Sequence, residues 1–191
     1  MRELDEFKDK LRHARPEQWD LIPDIELYMD QVISYMTRQH IGLELDGDEN
    51  LTSAMINNYI KSGLLPRARG KKYNREHIGY LTAICLLKQV LSVSETGALL
   101  RQQMENRSVE DFYRHYTEIL DEEFSRTADE IGDGSDKEEL MQLALRMAVS
   151  SYAQMLSCKK ILEFTASEEK REEKPAIGPG CCHVFYPPFI V

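Results

Sequence analysis

The sequence predicts a mainly α-helical protein with a short β-hairpin in its central domain and a helical extension at its C-terminal end. Three observations lead there. Apolar residues recur at three-to-four spacing through most of the 191 residues. Capping signals punctuate these runs. One stretch, "RARGKKY", reads instead as two brief strands about a turn at Gly70. A mass of 22.2 kDa leaves room for one domain of ordinary size and an appendage.

Taken in order, residues 1–13 place Leu4, Phe7 and Leu11 on one face of a short helix. Pro16 and Pro23 then bracket Trp19, Leu21 and Ile22, apolar anchors that hold a connector against the core. Asp24 is the expected N-cap of the next helix, whose inner face is Ile25, Tyr28, Val32, Tyr35 and Met36. "HIGLELDGDEN" is a loop by composition. A helix over 52–62 follows, capped by Asn50 or Thr52, with Met55, Ile56 and Tyr59 inward and Gly63 as its left-handed terminator. Leu64, Leu65 and Pro66 lead into the hairpin. The run "REHIGYLTAICLLKQVL" is apolar around most of its circumference, including Leu81, Ile84, Cys85, Leu87 and Leu91, so it is the central buried helix. Ser92 and Glu95 form a capping box that starts a further helix. Ser108 and Asp111 repeat the signal more loosely, ahead of Val109, Phe112, Tyr116, Ile119 and Phe124. "SRTADEIGDGSDKEE" reads as a loop or frayed junction ending in a capping box of Ser135 and Glu138. The last helix, "ELMQLALRMAVSSYAQMLSCKKILEF", has too broad an apolar face to stand alone, and Met141, Met147, Tyr152 and Met155 read as packing residues. "ASEEKREEK" and the Pro- and Gly-rich residues after it form a solvated tail. The expected division is therefore 1–23, helix and connector; 24–104, the hairpin-bearing domain; 105–166, a helical region; and 167–191, tail.

Composition narrows function mainly by exclusion. With 42% hydrophobic and 30% charged residues the chain is neither disordered nor membrane-embedded by composition, and no apolar run reaches the roughly 20 residues of a membrane span. The N-terminal stretch lacks a secretory signal, so a cytoplasmic protein with reduced Cys85, Cys158, Cys181 and Cys182 is expected. Cys181, Cys182 and His183 lack the second ligand pair of a structural zinc site, so no metal is assigned to them. No nucleophile elbow, P-loop, dinucleotide fingerprint or metal triad occurs, and the chain is read as non-catalytic, with no cofactor.

Charge distribution is more informative. Residues 51–75 carry six Lys or Arg and no acid, so this window is +6 in a chain of net charge −9, leaving −15 elsewhere. An acidic body bearing one basic strip repels phosphates from most of its surface and attracts them in one place. Helix, loop, helix, Gly-Leu-Leu-Pro, basic hairpin, helix is the order of a winged helix-turn-helix. In that fold the helix over 52–62 enters the major groove of double-stranded DNA. Its outer face offers Ser53, Asn57, Asn58 and Lys61, side chains suited to base edges. Arg67, Arg69, Lys71, Lys72 and Arg75 suit the phosphate backbone.

"MINNYIKSGLLPRARGKKYNREHIGYL" resembles the N-terminal domain of MerR-type transcription regulators: Tyr59, Gly63, Leu64, Leu65, Pro66, Tyr73, Ile78 and Leu81 fit that pattern. "LIPDIELYMDQV" and "LTAICLLKQVLSVSE" are similar to a bacterial domain-of-unknown-function family of the same type. The resemblance covers residues 19–100 and departs from the MerR pattern at Asn57 and Asn58, where that family has Arg-Tyr, and at Gly70 and Lys71, where it has Tyr-Arg. It implies a DNA-binding regulator with Tyr73 in its wing. It further implies a homodimer paired through the C-terminal helices, residues 136–165, on an inverted-repeat operator. It leaves a small-molecule effector undetermined. The alternative is an adaptor that keeps the fold and binds an acidic protein partner.

Overall fold

A computed structural model of the chain describes residues 2–39, 51–132 and 136–172. It is mainly helical, with seven α-helices and no strand longer than an isolated bridge among the described residues. The helices are α1 (Arg2–His13), α2 (Met29–Arg38), α3 (Ser53–Lys61), α4 (Arg75–Leu87), α5 (Val93–Met104), α6 (Val109–Glu130) and α7 (Lys137–Glu172), with one 3₁₀ turn at Trp19–Leu21.

α4 is the centre, as its apolar circumference predicts. Ile78, Leu81, Ala83 and Ile84 are wholly buried, and α4 packs on α2 and α6. α6 brings Phe112, Tyr113, Tyr116 and Leu120 into the same core, to which α3 adds Ile56 and Tyr59. Trp19 closes one side. Its ring lies 5.5 Å from that of Tyr113, whose hydroxyl donates to the Glu17 carbonyl at 2.6 Å. Gly79 permits this approach, since a Cβ there would stand 3.0 Å from Trp19 Cζ3. A second, smaller core joins Leu11 of α1, Ala128 and Ile131 at the end of α6, and Leu143 and Met147 of α7.

Several expectations are corrected. Residues 24–28 are not helical: Asp24 does not cap α2, Ile25 and Tyr28 are exposed, and Leu27 pairs instead with Tyr73, each amide donating to the other's carbonyl at 2.8 Å. α2 begins at Met29 because the Tyr28 amide, left without a helical acceptor, donates to the Gln31 side chain at 2.8 Å. The hairpin contracts to a tight turn. Arg69 and Lys72 form an isolated bridge and do not extend into two strands. α6 runs through residues 125–130, which the polar composition marks as loop, because Ala128 is buried there. Ile119 faces outward at 47% exposure. Ser135 lies outside the described residues; Asp136 caps α7, its carboxylate accepting from the amides of Glu138 and Glu139 at 2.8 and 2.9 Å. α7 continues past residue 166 to Glu172, a helix of 36 residues or about 54 Å. Residues 40–50, read from the sequence as a loop with Asn50 as a possible cap, and the Cys181, Cys182 and His183 positions also lie outside the described residues. Among the described residues no helix is long and apolar enough to cross a membrane.

Candidate functional site

The site begins with α3. Thr52 has extended backbone and its hydroxyl accepts from the Met55 amide at 3.2 Å, which starts the helix. Burial of Ile56 and Tyr59 fixes its rotation, so Ser53, Ala54, Asn57, Asn58 and Lys61 all face solvent. Gly63 ends it in the left-handed conformation, φ +72°, and the Leu64 amide closes back on the Tyr59 carbonyl at 2.8 Å. Leu64 and Leu65 then bury themselves, which turns the chain and leaves Pro66 and Arg67 exposed beside the end of α3.

The turn that follows has positive φ at both central residues, Gly70 at +57° and Lys71 at +64°. That pattern belongs to the two-residue turn of type I′, closed here by the Lys72 amide donating to the Arg69 carbonyl at 3.0 Å. Leu27 holds the base of the turn through Tyr73. α4 starts at once, because Asn74 and His77 cap reciprocally: the His77 amide donates to Asn74 Oδ1, and the Asn74 amide to His77 Nδ1, each at 3.2 Å. This box was missed in the sequence; a His standing three residues after an Asn is its only signal. His77 also meets Tyr73 edge-on at 5.4 Å, and its burial lowers the imidazole pKa below the ordinary range.

The six cations of the basic strip separate into two groups. Lys61, Arg67, Arg69 and Lys71 are exposed and enter none of the ion pairs found among the described residues. Lys72 instead pairs with Glu26 at 3.0 Å, and that carboxylate raises its pKa. Arg75 is half-buried, 3.9 Å from Asp24 and 5.9 Å above the Trp19 ring. Tyr73 is in the core at 4% exposure. Arg75 and Tyr73 therefore belong to the scaffold beneath the turn, and Lys72 is partly neutralised. The bridge between residues 27 and 73 is what brings Asp24 and Glu26 to these cations, and no local sequence pattern announces it.

Lys61 and Arg67 line one groove of about 570 Å³ between the end of α3 and α5, which Arg101 also lines. Arg101 was not among the residues singled out from the sequence. The groove's lining contains no Asp or Glu.

A family description, "Domain of unknown function (DUF1836)", matches residues 17–117, more than half of the chain. The chain belongs to the DUF1836 family. Neither a curated protein nor a solved structure matches it. The DUF1836 match overturns the resemblance to MerR-type regulators, since nothing found points to that family. The physical reason lies in what the matching residues do. Gly63, Leu64 and Leu65 make a helix terminator and its apolar anchor, and Tyr59, Tyr73, Ile78 and Leu81 are core residues. Such a pattern reflects packing that many helical folds share. The DUF1836 match spans the 3₁₀ turn, α2 to α5 and the first part of α6, so it contains the whole site described above.

Proposed function

We propose that this DUF1836 protein is a non-catalytic, sequence-specific DNA-binding transcriptional regulator built on a winged helix-turn-helix. α2 and α3 are the helix pair and the turn at 69–72 is a minimal wing. One observation carries this reading: α3 keeps an uncovered polar face of Ser53, Asn57, Asn58 and Lys61 next to three further unpaired cations, Arg67, Arg69 and Lys71, in a chain of net charge −9. α3 lies in the major groove, where Asn57 and Asn58 bond adenine edges and Lys61 reaches guanine acceptors. Arg67, Arg69 and Lys71 bind phosphates and set the register. Lys72 and Arg75 contribute less, because carboxylates already hold them.

The regulator acts as a homodimer paired through α7. Met141 at 63%, Leu145 at 61%, Val149 at 63% and Tyr152 at 61% exposure form a bare apolar stripe at helical spacing. The side of α7 carrying Leu143 and Met147 packs on its own chain. A second copy of the stripe is the cover this surface fits, and pairing presents two α3 helices to successive turns of one duplex, about 34 Å apart. Selection of duplexes from a random pool by the purified protein tests the proposal. The expected product is an inverted repeat whose consensus changes when Asn57 becomes Ala. Recovery of unenriched DNA would reject it.

A second reading has one observation in its favour: Glu26 and Asp24 already sit against Lys72 and Arg75, so this part of the molecule accepts carboxylates. An adaptor that binds an acidic protein segment would use the same chemistry. Pull-down before and after nuclease treatment separates the two, since an adaptor keeps its partner once DNA is destroyed.

A further inference from the structure

The groove between α3 and α5 brings together three cations, Lys61 and its near neighbour Arg67 with the more distant Arg101. Lys61 is the last residue of α3, Arg67 follows the buried Leu64-Leu65 step, and Arg101 stands in the last turn of α5. All three are exposed, and none forms an ion pair among the described residues. Ile60, Leu64, Leu65 and Leu100 also line the groove, which is of mixed polarity, and the lining holds no carboxylate. The rest of the chain carries a net charge of −12. Like charges repel, so three cations that line one groove without an acid favour an external anion there.

The position of Arg101 depends on Gly97. A Cβ at residue 97 would lie 3.3 Å from Arg101 Nη1 and 3.7 Å from Leu64 Cδ1, so the guanidinium folds back along α5 over bare backbone toward the end of α3. The groove then continues along α5 to Ser92 and Ser94 at the start of that helix. A guanidinium offers a planar fork of donors that matches two phosphate oxygens, which a lysine at the same place would not do as well.

We infer that Arg67 and Arg101 form a phosphate clamp beside Lys61, which stays with the base edges and adds only its charge, and that the clamp's occupant is a backbone phosphate of the duplex bound by α3. The inference rests on the DNA-binding proposal and adds a contact from α5. The clamp fixes how far α3 advances along the groove, because it ties the C-terminal end of that helix to the backbone.

The test is fluorescence anisotropy of the full chain on a labelled duplex, titrated from 50 to 200 mM salt, for the wild type, Arg101→Ala, Arg101→Lys and Gly97→Leu. One lost phosphate contact flattens the log-log slope by about 0.9, and its contribution to affinity changes by roughly 3.5-fold over that salt range. Arg101→Ala is expected to flatten the slope by that amount, Arg101→Lys to retain it, and Gly97→Leu, which fills the groove without removing a charge, to behave like Arg101→Ala. Thermal melting of each variant reports whether the fold survives, and the lysine variant separates charge from packing. A wild-type slope that Arg101→Ala and Gly97→Leu both leave unchanged overturns the clamp while the DNA-binding proposal stands. A wild-type slope near zero overturns both. Inorganic phosphate provides a further arm. A saturable amide shift at Gly97 and Arg101 with millimolar phosphate, abolished by Arg101→Ala while the DNA slope stays intact, would assign the groove to free phosphate and overturn the backbone contact.

Discussion

Replacing Glu26 by Gln should strengthen DNA binding, although Glu26 lies outside the basic strip. Its carboxylate holds Lys72 Nζ at 3.0 Å, and both side chains are about half exposed, at 57% and 41%. An exposed pair of this kind contributes little to folding, so the variant should melt as the wild type does. Its effect on binding is larger. A lysine held by a carboxylate displaces less counterion from DNA than a free one, which adds about −0.9 to the log-log salt slope. Each protomer of Glu26→Gln should therefore bind with a slope steeper by up to about 0.9, and affinity at 50 mM salt should gain up to about 3.5-fold relative to that at 200 mM. Lys72→Ala should leave the slope nearly unchanged, and Arg69→Ala with Lys71→Ala should flatten it by about 1.8. Fluorescence anisotropy on a selected duplex measures all three. If Lys72→Ala and the Arg69/Lys71 double variant change the slope equally, the division of the strip into paired and unpaired cations is wrong. If Glu26→Gln leaves it unchanged, the turn does not face phosphates.

Other expectations concern the scaffold. Gly63→Ala meets no neighbour within 4 Å, so its cost is backbone strain alone at φ +72°, about 1 kcal/mol, read as a melting temperature lower by about 2–4 °C; Gly63→Asn should cost less. Leu81→Ala removes a wholly buried side chain from the centre of α4 and should cost about 3 kcal/mol, measurable by urea denaturation. His77 has a lowered pKa in the folded state from burial, which its hydrogen bond with the Arg67 backbone and the charge of Glu76 only partly offset. The unfolded chain thus binds the proton more readily. Stability should be fully present above the ordinary imidazole value of about 6.5 and fall as pH drops through the lowered folded value. His77→Gln keeps a capping side chain and should remove that component of the pH dependence. Charging the α7 stripe, with Leu145→Glu and Tyr152→Glu, should yield monomers in sedimentation velocity while leaving the melting temperature of each chain close to that of the wild type.

Local chemistry was readable from the sequence and long-range pairing was not. Thr52, Ser92 with Glu95, Ser108 with Asp111, and Gly63 all act within one helical turn of themselves, so composition and spacing are enough to find them. The apolar circumference of α4 likewise states its own burial. The start of α2 was misplaced because Ile25 and Tyr28 satisfy helical spacing, while what holds residues 24–28 extended is Tyr73, far along the chain. The same pairing set Glu26 and Asp24 against two of the predicted phosphate contacts. Arg101 was invisible for a related reason: its place in the groove depends on Gly97 and on where Leu64 turns the chain, and neither carries a charge signal. The bare stripe on α7 was half legible. Its breadth showed only that the helix does not stand alone, and the packing of Leu143 and Met147 reveals which side the chain covers itself.

The central claim is that the outer face of α3 and the adjoining turn are the surface that meets DNA. Amide chemical-shift mapping of the isotopically labelled protein, titrated with a selected duplex, tests it most directly. Shifts concentrated at Ser53, Asn57, Lys61 and 67–71, with α1 unmoved, are the predicted result. Shifts confined to α1 or α7, or no shift at saturating duplex, would contradict it.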